Sequence, residues 1–167
     1  SVAKSFYVLE YMKFDKRVAP LLSTVKNWAK QTGRMKKYND DGMLNSWTWL
    51  QLALLYCQGI RIIPSLEKIA ESILSQKDYK DGVIVQGFGF SSNSPSSYFY
   101  ATGKSASVFF TPADDEVTKN ALTVKGFLNF ISEIDLNNHS ISLRYGRGQK
   151  AYKNHNRVFM CDSFDEF

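Results

Sequence analysis

The sequence predicts an α+β domain, predominantly α, in which a helical bundle carries a small closing β-hairpin. Three observations carry that expectation. Apolar residues recur at helical spacing through the N-terminal third and again after residue 114. Residues 45–57 are apolar on nearly every side, which places that helix at the centre of a core. Residues 140–145, and less strictly 157–161, alternate polar with apolar, the period of a strand. The 167 residues are 44 % hydrophobic and 22 % charged, which suits one globular unit spanning residues 1–167.

Each element has a local reason. Phe6, Val8, Leu9 and Met12 share one helical face, so residues 1–13 should form a short amphipathic helix. Asp15 is placed to cap the next helix, and Pro20 falls near its first turns, where a missing N–H costs least. That helix runs through Val25, Trp28 and Ala29 and should stop at Gly33. Residues 34–42 read as a polar, basic loop. Asn45 or Ser46 then caps the central helix, and Pro64-Ser65 opens a fourth over residues 66–74, with Ser65 and Lys68 at cap spacing.

Residues 82–103 are rich in Gly, Ser, Asn and Tyr and read as irregular. Asp114-Asp115-Glu116 marks the start of a second central helix carrying Val117, Leu122, Val124, Phe127, Leu128, Phe130 and Ile131. The alternating segments near the C-terminus complete the fold as a hairpin or strand pair.

Composition narrows the function. A formal charge of +5, with 12 Phe, 9 Tyr and 3 Trp, favours an anionic partner such as nucleotide or nucleic acid. Cys57 and Cys161 lie far apart, and His139 and His155 have no ligand partner at metal spacing, so neither a disulfide framework nor a zinc site is expected. No apolar run approaches the roughly 18 residues that span a bilayer, and no signal segment is visible, so no membrane partner is expected. A cytoplasmic protein is the default, with the nucleus and mitochondrion left open. The chain starts at Ser1 without a methionine and reads as a piece of something longer.

Lys26 and Lys30 stand four residues apart on one helix face, where two ammonium groups can hold a polyphosphate, and Arg34 is placed to continue the line. The competing account is a solvated basic face. Ser46 and Trp47 open the apolar helix after a Gly-containing loop; a helix N-terminus with a hydroxyl receives phosphate oxygens, and an indole stacks on a base. Asp40-Asp41 and Asp114-Asp115-Glu116 do not alternate as metal-binding carboxylates on a strand would, and capping or loop solvation accounts for them. No P-loop and no nucleophile elbow is present. Cys57 reads as core, and the two histidines as surface.

Five motifs in order resemble the central domain of cytoplasmic-type RNA terminal nucleotidyltransferases, the template-independent poly(A) polymerases and terminal uridylyltransferases. They begin with Asp15-Lys16-Arg17-Val18-Ala19-Pro20-Leu21, followed by Val25-Lys26-Asn27-Trp28-Ala29-Lys30 and Gly42-Met43-Leu44-Asn45-Ser46-Trp47. Leu55-Tyr56-Cys57-Gln58 comes next, with Ile63-Pro64-Ser65-Leu66 behind it. The second half is similar to that family's poly(A)-polymerase-associated region at Val124-Lys125-Gly126-Phe127-Leu128-Asn129-Phe130, Glu133-Ile134-Asp135 and Ile141-Ser142-Leu143-Arg144-Tyr145-Gly146. Asp162-Ser163-Phe164-Asp165 is similar to its acidic C-terminal segment. The likeness covers nearly everything except residues 77–107.

The resemblance implies a mostly helical domain facing a catalytic palm that nothing in this chain matches, with nucleotide bound in the cleft between them. It implies that Lys26 and Lys30 bind the triphosphate beside Ser46, and that Trp47 takes the place of a base-stacking tyrosine. Lys4 and Ser5 fall at the ribose positions, and Asp162 and Asp165 near the base edge. The implied partners are UTP or ATP, an RNA 3′ end, the palm and, in some members, an activating protein subunit. Mg²⁺ or Mn²⁺ would be held by the palm and none by this chain, so the chain by itself is expected to be inactive. The other reading is a catalytically inactive member acting as an RNA- or protein-binding scaffold, with Arg144, Arg147, Lys150, Lys153 and Arg157 tracking a phosphate backbone.

Overall fold

A computed structural model describes residues 8, 9, 11–35, 44–65, 68, 110–134, 139–143, 147–150 and 160–161. The described part is predominantly α-helical, as the sequence predicts. Its helices are α1 (Val18–Gln31), α2 (Ser46–Gly59), α3 (Glu116–Ala121) and α4 (Val124–Glu133).

Residues 8, 9, 11 and 12 are helical, but their inward face differs from the expected one. Val8, Tyr11 and Phe14 are buried, whereas Leu9 is 55 % exposed. Tyr11 takes the inner position because its ring packs 6.0 Å from Phe14 and its hydroxyl meets Gln58. Asp15 does not cap α1 from the N-cap position, which Arg17 occupies without a side-chain cap. Asp15 instead accepts the Arg17 backbone N–H at 2.7 Å and grips the Arg17 guanidinium through Nε at 2.9 Å and Nη2 at 2.7 Å. Arg17 Nη2 also donates to the Ala113 carbonyl at 2.6 Å, joining the start of α1 to the segment before α3.

Along α1, Val18, Leu21, Leu22, Val25 and Ala29 are buried, a stripe at the i, i+3, i+4, i+7 spacing of one helix face. The helix ends as expected at Gly33, whose φ of +69° is the left-handed conformation that glycine adopts without strain. The Gly33 N–H donates to Lys30 O at 3.2 Å and the Arg34 N–H to Ala29 O at 2.8 Å, the paired bonds of a Schellman cap.

α2 is the predicted central helix. Asn45 caps it, accepting the Thr48 N–H at 2.9 Å and the Thr48 hydroxyl at 3.0 Å. Every residue from Thr48 to Gln58 except Leu50 is buried, so this helix is covered on all sides. It runs antiparallel to α1. At one end an isolated bridge pairs Met35 with Leu44, and the Trp49 indole donates to Arg34 O at 3.3 Å. At the other end Ala113 takes the Arg17 guanidinium on its carbonyl while its N–H donates to Arg61 O at 2.9 Å.

The expected second central helix is two helices. Asp115 caps α3 by accepting the Thr118 N–H at 2.8 Å, and Thr123 starts α4 by accepting the Gly126 N–H at 3.0 Å. The break follows from Thr123 leaving the helical conformation to act as that cap. α4 covers α2 from outside and fully buries only Phe127, whose ring lies 6.3 Å from Trp49 and 6.0 Å from Tyr56. Gly126 permits this approach, because a Cβ there would sit 2.5 Å from the Tyr56 hydroxyl and 2.7 Å from Ala121 O.

Three short strands are described by their backbone. β1 (His139–Ser142) pairs antiparallel with β2 (Arg147–Lys150), and parallel with β3 (Met160–Cys161) in the register Ile141 to Met160. The two alternating segments of the sequence therefore meet in parallel, while the antiparallel partner carries Arg147 and Lys150 of the basic set. Ser65 accepts the Lys68 N–H at 3.2 Å, which fits the expected start of a fourth helix. The rest of the expected helix over residues 66–74, the 82–103 segment expected to be irregular and the Asp40-Asp41 pair lie outside the described residues.

Candidate functional site

The four expected nucleotide-site residues that the structure describes all stand at one end of the α1–α2 pair. Lys26 and Lys30 project from the exposed side of α1, and neither ammonium is ion-paired among the described residues. Ser46 and Trp47 form the first turn of α2, both half-buried. Lys30 and Ser46 both lie close in sequence to the Met35–Leu44 bridge, which brings the end of α1 and the start of α2 together. Lys4, Ser5, Asp162 and Asp165 lie outside the described residues.

Trp28 and Trp49 pack edge to face with ring centroids 5.6 Å apart, fixing one flank of the helix pair. Arg34 does not extend the lysine line: its guanidinium lies 5.7 Å above the Trp28 ring, on that flank. The cause is the left-handed turn at Gly33, which takes the chain off the helical spiral one residue before Arg34.

Several other expectations resolve into structural roles. Asp115 is the α3 cap, and Asp114 lies 3.5 Å from Arg17 Nη1. Cys57 is wholly buried, and burial, helped by the negative charge of Asp15, pushes its thiol up to about 12. Such a group stays protonated and is no nucleophile. Among the described residues no group of three or more His, Cys, Asp or Glu side chains is arranged to hold a metal ion. No described helix is long and apolar enough to cross a membrane.

The opposite end of α2 holds what the sequence reading missed. Gln58 is buried, and the two hydrogens of its Nε2 are shared among three acceptors, Leu143 O at 3.0 Å, Tyr11 Oη at 3.2 Å and Pro64 O at 3.3 Å. The amide orientation is settled chemically, since only the NH₂ group can face two carbonyl oxygens. Gln58 Oε1 is closed to solvent and accepts no hydrogen bond among the described residues. Arg61 follows α2 with φ of 64°, a left-handed conformation rare for a residue with a Cβ. The backbone holds it there: the Arg61 N–H donates to Gln58 O at 3.1 Å and the Ile62 N–H to Cys57 O at 3.1 Å, a Schellman cap without glycine.

Beside Arg61 lies a pocket of about 450 Å³, lined by Gln58, Arg61, Ile63, Ser65, Lys68 and Phe110 among others. Its one sequence signal was position: Gln58 and Ile63-Pro64-Ser65 belong to the motifs that carry the family resemblance. No family model and no curated protein matches this sequence.

Proposed function

We propose that this chain is the nucleotide-binding central domain of an RNA 3′-terminal nucleotidyltransferase that adds uridylates or adenylates to RNA. The observation that supports it best is the antiparallel α1–α2 pair, which puts Lys26 and Lys30 at the same end as Ser46 and Trp47. Trp28 lies two residues from each lysine, and Trp49 two from Trp47, which is about 200° around a helix. With Trp28 and Trp49 packed against each other, the lysines and Trp47 are turned away from that contact.

In this reading the lysine ammonium groups offset the triphosphate charge, and the Ser46 hydroxyl with the α2 N-terminus adds hydrogen-bond donors for phosphate oxygens. The Trp47 indole stacks on the base. Tryptophan retains the π-face of the family's tyrosine while giving up its hydroxyl. The closing β-hairpin, the palm and its Mg²⁺ or Mn²⁺, the RNA 3′ end, a protein activator and a cytoplasmic setting belong to the same proposal. The divalent ion would neutralise phosphate charge during displacement by the RNA 3′-hydroxyl.

The test is Trp47→Ala in a palm-containing form of the protein. Loss of stacking should weaken UTP or ATP binding by about 1–3 kcal/mol. Unchanged affinity would refute the assignment. Sequencing RNA tails after incubation with all four NTPs and Mg²⁺ or Mn²⁺ tests the activity itself, and RNA of unchanged length would favour the scaffold.

A further inference from the structure

We propose that the pocket at the C-terminal end of α2 binds a small phosphomonoester with an apolar or ring-shaped body, at a site separate from Lys26, Lys30 and Trp47. The two sites stand at opposite ends of a 14-residue helix, which spans about 20 Å.

Three features point to that ligand. The pocket's volume of about 450 Å³ is that of a small-molecule site. Two cations line it, Arg61 and Lys68, both exposed, together with the hydroxyls of Ser65 and Thr111. Ser65 Oγ already accepts the Lys68 N–H, which leaves its hydroxyl proton to donate. Charged and neutral donors set around one space suit a tetrahedral oxyanion better than a planar carboxylate. The walls formed by Ile63 and the Phe110 ring, over which Lys68 Nζ stands at 5.6 Å, receive the body.

The third feature is the strain at Arg61. Its backbone conformation is one that glycine would adopt without cost, yet a guanidinium is held there at the pocket wall. Its partner among the described side chains is Asp115 Oδ2 at 3.4 Å, with both groups well exposed. That is a long, solvated pair that a phosphate dianion can displace.

The probe is phenyl phosphate, titrated into the full chain and followed by backbone amide shifts, with phenol and inorganic phosphate as controls. Saturable shifts centred on Arg61, Ser65 and Thr111 are expected, with phenyl phosphate binding at least tenfold tighter than either control. Arg61→Gly should weaken binding tenfold or more while raising the melting temperature by about 2–4 °C, because it relieves the strained φ. That opposition separates loss of the ligand group from loss of the fold. Lys68→Gln should weaken binding comparably, and Trp47→Ala should leave it unchanged. The proposal is overturned if no saturable shift appears, if inorganic phosphate binds as tightly as phenyl phosphate, or if Arg61→Gly and Lys68→Gln retain full affinity. Because Trp47→Ala reports only on the other end of α2, either site can fail without the other.

Discussion

Replacing Gln58 with methionine tests how the described segments are joined. The side chain keeps nearly the same volume, so little cavity forms, but the NH₂ group that joins Tyr11, Pro64 and Leu143 is lost. Two carbonyl oxygens then lack their donor from Gln58, at about 1–3 kcal/mol for each acceptor left buried without a partner. Carbonyls that find water or a shifted neighbour fall at the low end of that range. The substitution also removes Gln58 Oε1, which is buried with no partner among the described residues, and that returns about 1–2 kcal/mol. With each carbonyl near the middle of its range, the net expectation is destabilisation by about 2–3 kcal/mol. Urea unfolding reads it directly, as a lower midpoint at unchanged slope. A double-mutant cycle with Tyr11→Phe should show coupling of about 0.5–1.5 kcal/mol. A Gln58→Met chain as stable as the parent would refute the reasoning, because the amide would then be giving nothing that a thioether does not.

Other substitutions probe separate contacts. Gly126→Ala should destabilise by about 1–3 kcal/mol in urea, since the new methyl meets the Tyr56 hydroxyl and Ala121 O and disturbs the bond between them. Asp15→Asn should cost about 1–2 kcal/mol, less than for a fully buried pair because Arg17 is partly exposed. Burial pushes the Asp15 carboxyl up, but hydrogen bonds from the Arg17 side chain and backbone, with the Arg17 and Lys16 charges, outweigh it and hold the group below its ordinary 3.8. With the folded value depressed, this stabilisation is complete above the unfolded carboxylate range and is lost as pH falls through the folded value. Acid titration of Asp15→Asn against the parent should therefore show the gap closing below about pH 4. In a Cys161→Ser chain, Cys57 should resist thiol reagents at pH 8 until urea unfolds the protein, and rapid labelling of the native chain would contradict its burial.

Some of this was legible because it depends on neighbours in sequence. The apolar stripe of α1, the Gly33 stop, a cap at Asn45 or Ser46 and a helix start at Asp114-Asp115-Glu116 each need only a few consecutive residues, and the structure selects Asn45 and Asp115 as the caps. The same locality misled at Leu9 and Tyr11. An apolar period cannot tell which face meets a partner, and a tyrosine goes inside when a distant amide such as Gln58 takes its hydroxyl. Thr123 split the expected long helix because it caps α4, a choice that the close fit of Gly126 against Tyr56 supports.

By itself, then, the sequence determined the predominantly helical character of the described residues, their central helix and the shared face of Lys26 and Lys30. Tertiary structure decided which ends meet. It set the start of α2 beside the end of α1, drew Arg34 onto Trp28, and gathered Arg61, Lys68 and Phe110 around one pocket. The physical reason is range. Caps and periodicity act over about one helical turn, whereas a pocket needs backbone contacts between residues as distant as Arg61 and Ala113.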